Sequence, residues 1–137
     1  MSLSKVFDIA GSAMNAQSVR LNVTASNLAN AGSVSGDPNN VYRARQPVFS
    51  TFSDSLNFRT GVAEVRLSGV IENSGPLKAQ HMPEHPEADE NGNVYISDVN
   101  MVEEMVNMLS ASSSYQNGVE MINTTKDLLL QTLALGR

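Results

Sequence analysis

A chain of 137 residues is the size of one domain, and with 41% hydrophobic residues it is not a disordered polymer. Its net charge of −5 argues against the basic face that nucleic-acid phosphates require, and no polybasic segment of the kind that holds proteins to acidic membranes occurs. Cysteine and tryptophan are absent and aromatics are 5%, so thiolate chemistry is excluded and packing falls to Met, Val, Leu and Ala, best used helix against helix.

Lys5, Asp8, Ser12 and Asn15 interrupt the N-terminal stretch, which therefore lacks the continuous apolar core of a cleaved signal peptide. No run elsewhere approaches the roughly 20 apolar residues that span a bilayer. From Leu3 to Ala31, apolar or small residues recur at Leu3, Phe7, Ala10, Met14, Leu21 and Leu28, and Gln17 and Thr24 fill the remaining places of a 4-3 rhythm. A second stripe of Val6, Ile9, Ala13, Ala16 and Val23 runs beside it. The spacing predicts one long helix with a wide buried face, closed by Gly32 as its C-cap.

Ser33 to Asn40 is a loop of Gly, Ser, Asn, Asp and Pro without periodicity. Val41 to Phe52 reads as extended, and Pro47 marks it as an edge strand. Gly61 to Glu72 alternates, with Ala63, Val65 and Leu67 on one face and Glu64 and Arg66 on the other. Asn73 to Pro86 is expected to run irregularly over the surface. Asn91-Gly92 signals a hairpin-type turn, with a short strand from Asn93 to Ser97 after it.

From Asn100 to Leu135 the 4-3 spacing returns in Met101, Met105, Met108, Ser112, Tyr115, Val119, Ile122, Lys126, Leu129 and Leu133. Asp98 or Asn100 is placed to cap this second helix, and Glu103 and Glu104 lie where the helix dipole favours negative charge. Gly136 ends it. Gly118 marks a soft point, since an interior Gly costs about 1 kcal/mol relative to Ala.

The expected fold is mainly α with a small β-rich insert. Long N- and C-terminal helices pair antiparallel as a coiled-coil-like hairpin, with short strands between them. The helical core takes residues 1–32 and 99–137, and the insert takes 33–98. Gln17, Thr24, Ser112 and Lys126 occupy seam positions, so such a pair buries little by itself. A monomeric hairpin with a β cap fits this pattern, and so does a subunit of an assembly whose second stripes meet other helices. The two apolar faces favour the assembly, and contacts of that kind propagate as an open filament when they do not close.

Chemistry has little to work with. His81 and His85 have metal-ligand spacing for a helix, but Pro83 and Pro86 argue against a helix there, which leaves a solvated acidic loop. Asp89 to Asn93 lacks the full pattern of a calcium loop. Ser112, Ser113 and Ser114 have no nearby His, and neither a Walker loop nor a nucleophile elbow occurs.

Ala16 to Asn30, and above all Ser26-Asn27-Leu28-Ala29-Asn30, resembles the N-terminal signature shared by flagellar axial proteins. Asn100 to Met108, Ser114-Tyr115-Gln116-Asn117 and the closing Leu133-Ala134-Leu135-Gly136-Arg137 resemble that family's C-terminal helix and ending. His85 to Val94, followed by Val99-Asn100, resembles the C-type proximal rod subunits more than other rod or hook proteins. The likeness takes in most of the chain. It departs in the long Ala31 to Tyr42 loop, where the family has a short Thr/Pro-Gly-Tyr link, and in Gly118, where the family favours helix formers.

The resemblance implies a structural subunit of the proximal rod of the flagellar basal body, not an enzyme, with no cofactor or metal. Such subunits are exported through the flagellar apparatus without a cleaved signal peptide. They polymerise with copies of themselves and other rod subunits into the shaft that carries torque across the periplasm. Ring and junction proteins surround that shaft, and neither nucleic acid nor membrane insertion is involved. Their terminal helices are expected to order on incorporation. The interface candidates are Phe7, Met14, Leu21, Asn27, Leu28 and Asn30 on the first helix. On the last they are Met101, Met105, Met108, Tyr115, Val119, Ile122, Leu129 and Leu133. Arg43 and Arg45 are candidates for polar contacts between subunits, or simply face water. The amides of Asn27 and Asn30 bond to neighbouring subunits or to the following turn; alternatively Asn30 helps end the helix and Asn27 is solvated. The rival roles are another axial protein of the same apparatus and a secreted coiled-coil effector or export chaperone.

Overall fold

The computed structural model describes residues 3–52 and 63–136, so Gly61, the expected start of the alternating segment, and Arg137 lie outside the described residues. Two long helices, α1 (Leu3–Ala29) and α2 (Met101–Leu135), enclose an insert of five strands in sequence. These are β1 (Val34–Ser35), β2 (Arg45–Phe52), β3 (Glu64–Glu72), β4 (Lys78–His81) and β5 (Asn93–Ile96). The mostly helical fold with an antiparallel β insert is the one the periodicity predicts. The helices run antiparallel: Arg20 Nη2 donates to Asn107 Oδ1 at 3.3 Å, while Met14, earlier in α1, lies against Gly118, later in α2.

The ends of the helices follow from local hydrogen bonding. Asn100 caps α2, its Oδ1 accepting from the Val102 and Glu103 N–H groups at 3.1 and 3.4 Å. Asp98, the other cap candidate, is used elsewhere, accepting from Ala44 N–H at 2.7 Å. Gly136 follows α2 as its C-cap. Gly32 does not take the left-handed cap expected of it, since Gly92 is the only described residue with positive φ. Instead α1 stops at Ala29, where the Asn30 side chain donates to Ser26 O at 2.8 Å. Tight turns from Ala31 to Leu28 O and from Ser33 to Asn30 O then lead the chain away.

Two stretches that read as irregular carry strands. β1 and β4 pair antiparallel with the two sides of β5, in the order β1-β5-β4, and Val94 is fully buried at the centre. Neither strand carries a period-2 signal: β1 is two residues long, and Lys78–His81 is exposed throughout. The Asn91-Gly92 turn closes a loop that begins at Met82, with Gly92 at φ 74°. Asp89 Oδ1 holds that turn by accepting from Asn91 and Asn93 N–H at 2.9 and 2.8 Å.

β2 and β3 form a separate two-stranded sheet, so both are edge strands and Pro47 costs no ladder bond in a sheet interior. A bulge after Val48 bends the hairpin. It lies along α1, with Val65 N–H donating to Ser12 Oγ at 3.3 Å near one end and Arg45 held by Asn27 at the other. The second stripe of α1, expected to need another helix, thus has the chain's own hairpin beside it. The apolar alternation in β3 does not translate into burial, since Leu67 stays exposed.

Fully buried apolar residues are few and mostly small: Ala10, Ala16, Val41, Val94 and Ala111 among the described residues. The chain exposes 9343 Å², against about 6,900 Å² for a compact monomer of its 14.7 kDa mass.

Candidate assembly surfaces

The seam between the helices is built from small and polar residues. On α2 the deepest positions are Glu104, Ala111 and Thr125, seven or fourteen apart, and Gly118 lies on the same row. A Cβ at Gly118 would sit 2.6 Å from Met14 Cγ, so glycine here permits the close approach of α1. The position that reads as a soft point is a packing contact inside an unbroken helix. On α1 the buried positions are Ala10, Ala16, Thr24 and Asn27. Thr125 satisfies its hydroxyl within the helix, donating to Met121 O at 2.7 Å.

Asn27 ties the helix pair to the insert. It is 1% exposed. Its Oδ1 accepts from the Tyr42 hydroxyl and from Arg45 N–H, both at 3.0 Å, and its Nδ2 donates to Arg45 O at 2.8 Å. The Ser26 hydroxyl meets the Tyr42 hydroxyl at 3.1 Å. The same stretch is tied again by Ala44 N–H to Asp98, just before α2, and by Asn73 N–H to Ala44 O at 2.8 Å. A solvated Asn27 is excluded. Its amide reaches past the turn that follows the helix, the partner expected for it, to Tyr42 and Arg45, and Asn30 takes the helix-ending role.

Both arginines have partners inside the chain. Arg43 donates to Asn73 O and Gly75 O at 3.2 and 2.8 Å, and it lies before β2, not within it. Arg45 forms an exposed ion pair with Glu72 at 3.0 Å and stacks over the Tyr42 ring at 5.3 Å. His81 Nδ1 meets Asn93 Oδ1 at 3.2 Å, while His85 Nδ1 accepts from Glu87 N–H at 3.1 Å. Each imidazole thus serves its own turn.

α2 turns a large apolar surface outward. Val102, Val106 and Leu109 follow one another at helical spacing and are 70%, 60% and 71% exposed. Counting from the Met14–Gly118 contact, Leu3 falls opposite Leu129, so Leu130, Leu133 and Leu135 extend past the described start of α1 and are exposed. No helix among the described residues is long and apolar enough to cross a membrane.

Comparison with known proteins agrees with this geometry at both ends of the chain. The family described as "Flagella basal body rod protein" matches residues 7–36, and that described as "Flagellar basal body rod FlgEFG protein C-terminal" matches residues 90–135. Across the whole chain there is 49% identity over 137 residues to the flagellar basal-body rod protein FlgC of Salmonella typhimurium, covering all of both chains. The chain belongs to the FlgC family of flagellar basal-body rod proteins. FlgC of Escherichia coli O6:H1 is 50% identical over 139 residues with full coverage of both, and that of Buchnera aphidicola from Acyrthosiphon pisum is 41% identical over 98% of each. The chain is accordingly a structural subunit of the proximal rod of the flagellar basal body, and not an enzyme.

The candidate interface residues divide into two groups on the structure. Asn27 is buried; Phe7, Met14, Leu21 and Leu28 of α1 and Asn30 just after it are half-buried, as are Met108, Tyr115, Ile122 and Leu129 of α2. Met101, Met105, Val119 and Leu133 are exposed. The 4-3 pattern of α2 thus has its Met108, Tyr115, Ile122 and Leu129 row in the intramolecular seam. Its other row is displaced by one residue: Glu104, Ala111, Gly118 and Thr125 lie inward where Met105, Ser112, Val119 and Lys126 are expected. Hydrophobicity misled, because the tightest positions of this seam demand small side chains. The signal that finds them is the strict seven-residue spacing of Ala111, Gly118 and Thr125. Val102, Val106 and Leu109 also escaped, since they fall outside the seam and form a stripe of their own.

Proposed function

We propose that the chain polymerises through the outer faces of its two helices with copies of itself and with other rod subunits. The observation that carries this reading is the exposed stripe of Val102, Val106 and Leu109 on a helix whose opposite face already has its partner in α1. The terminal segments, residues 1–32 and 99–137, act as the polymerising core, and residues 33–98 form an insert facing outward from it. The exposed interface residues are Met101, Met105, Val119 and Leu133. Phe7, Met14, Leu21, Asn27, Leu28, Met108, Tyr115, Ile122 and Leu129 hold the subunit in the shape that polymerises, with Asn30 ending α1. Arg43 and Arg45 lie where a neighbour's acidic groups can add to their internal bonds. The subunit reaches its place through the flagellar export apparatus. Surrounded by ring and junction proteins, it carries torque across the periplasm.

An in-frame deletion, examined by electron microscopy of isolated basal bodies with plasmid complementation, tests the role. Loss of the rod and all that lies beyond it, restored by the intact gene, is the expected result. A Leu109→Glu allele tests the surface more sharply than a charge at Leu21 or Leu129, which are half-buried within the chain. Normal basal bodies from Leu109→Glu cells would remove this face from the assembly.

A further inference from the structure

Between α1, the start of α2 and β2 lies a polar groove of about 390 Å³. Gln17, Arg20 and Thr24 line it from α1, Glu104 and Asn107 from α2, and Gln46 from β2. Two acceptors in its wall have no donor. Glu104 is 8% exposed and its carboxylate receives no hydrogen bond or ion pair among the described residues. The Oε1 of Gln17 is fully buried and also unpartnered. Of the two arginines that line the groove, Arg20 donates to Asn107 within it and Arg45 pairs with Glu72 outside it.

A carboxylate is a pure acceptor, so whatever completes this site brings N–H donors, and its charge favours a positive one. In the free chain, water can fill a groove of this volume. A subunit that closes over it must replace those donors, because a buried charged acceptor left unpaired is among the costlier defects an interface can hold. Closure is expected on geometric grounds. Glu103 and Asn107, which edge the groove, are the helical neighbours of Val102 and Val106, so a partner seated on that apolar stripe overlies the groove mouth.

We propose that this groove is a socket for an arginine or lysine side chain of a neighbouring rod subunit, with Glu104 as its counter-charge. This rests on the reading that the outer face of α2 is a subunit contact. The apolar stripe supplies area, and the socket sets register, since a cation can engage a recessed carboxylate at one position along the helix only.

The test uses the complete chain in isolated basal bodies, with the photo-crosslinking residue p-benzoylphenylalanine introduced in separate strains at Gln46, in the groove, and at Val106, on the stripe. The expected result is a crosslink from position 46 to a neighbour's peptide containing Arg or Lys. Glu104→Ala should lower that crosslink about tenfold while the Val106 crosslink persists, which also shows that the variant is folded and incorporated. Crosslinking from Val106 with none from Gln46 overturns the socket and leaves the subunit contact standing. Silence at both positions removes the contact as well. If Glu104→Arg abolishes the Gln46 crosslink and Arg20→Glu in the same chain restores it, the carboxylate's partner is internal and the socket is refuted.

Discussion

Replacing Asn27 with alanine should loosen the whole chain, although no large apolar group is lost. The substitution deletes one donor and one acceptor that together serve three groups: Tyr42 hydroxyl, Arg45 N–H and Arg45 C=O. Tyr42 retains its contact with Ser26, so two backbone groups of Arg45 bear most of the loss. An unsatisfied buried group costs about 1–3 kcal/mol, and partial access of water at Arg45 favours the lower half, giving about 3 kcal/mol in all. For a chain of this size that corresponds to a fall of about 10 °C in Tm. Asn27→Asp keeps the acceptor but sets a carboxylate oxygen against Arg45 O, so it should not rescue. Urea unfolding of the purified chain gives the stability change, and amide hydrogen exchange at Arg45 gives its place. If Asn27→Ala unfolds within about 0.5 kcal/mol of the parent, with Arg45 exchange unchanged, the junction does not hold the insert to the helices.

The Met14–Gly118 contact and the cap of α2 give two further expectations. Gly118→Ala gains about 1 kcal/mol of helix propensity but forces Met14 aside, so it should be neutral to destabilising by about 2 kcal/mol. In a Met14→Ala background the same change should stabilise by about 1 kcal/mol, and the double-mutant cycle measures the difference. Asn100→Ala removes the cap that receives Val102 and Glu103 N–H and should cost about 1 kcal/mol, whereas Asn100→Gly should cost only a few tenths, as read by chemical denaturation.

Periodicity made the helices legible because each carries many turns of repeating pattern, and the sheet signals around Val65 and Asn91-Gly92 were legible for a similar reason. What stayed hidden depends on neighbours distant in sequence. β1 and β4 exist because β5 offers two open edges, a fact written in neither Val34-Ser35 nor Lys78–His81. Asn27 stands out in the sequence as part of a motif, but its use requires knowing where Arg45 lies. The seam of α2 is offset because closeness of approach at Glu104 and Gly118, and not the hydrophobicity of Met105 and Val119, decides which residues face α1.

That offset bears on how the subunit works. A seam whose closest positions are Ala, Gly and Thr brings the helices close while burying little apolar area, and Met105, Val119 and Leu133 of α2 are left facing out. The stripe of Val102, Val106 and Leu109 is about two-thirds exposed, so complete burial would contribute about 1.5 kcal/mol per side chain, or about 4 kcal/mol for all three. That is no more than the lower end of the roughly 4–15 kcal/mol of motional freedom lost on association. One stripe therefore does not hold a pair of chains together. A subunit that meets several neighbours at once loses that freedom once and gains from every face, which favours growth at an existing end over pairing in solution. With the outer face of α2 as the subunit contact proposed above, weak single contacts and a thin internal core are parts of one design, in which the chain is completed by the polymer it joins.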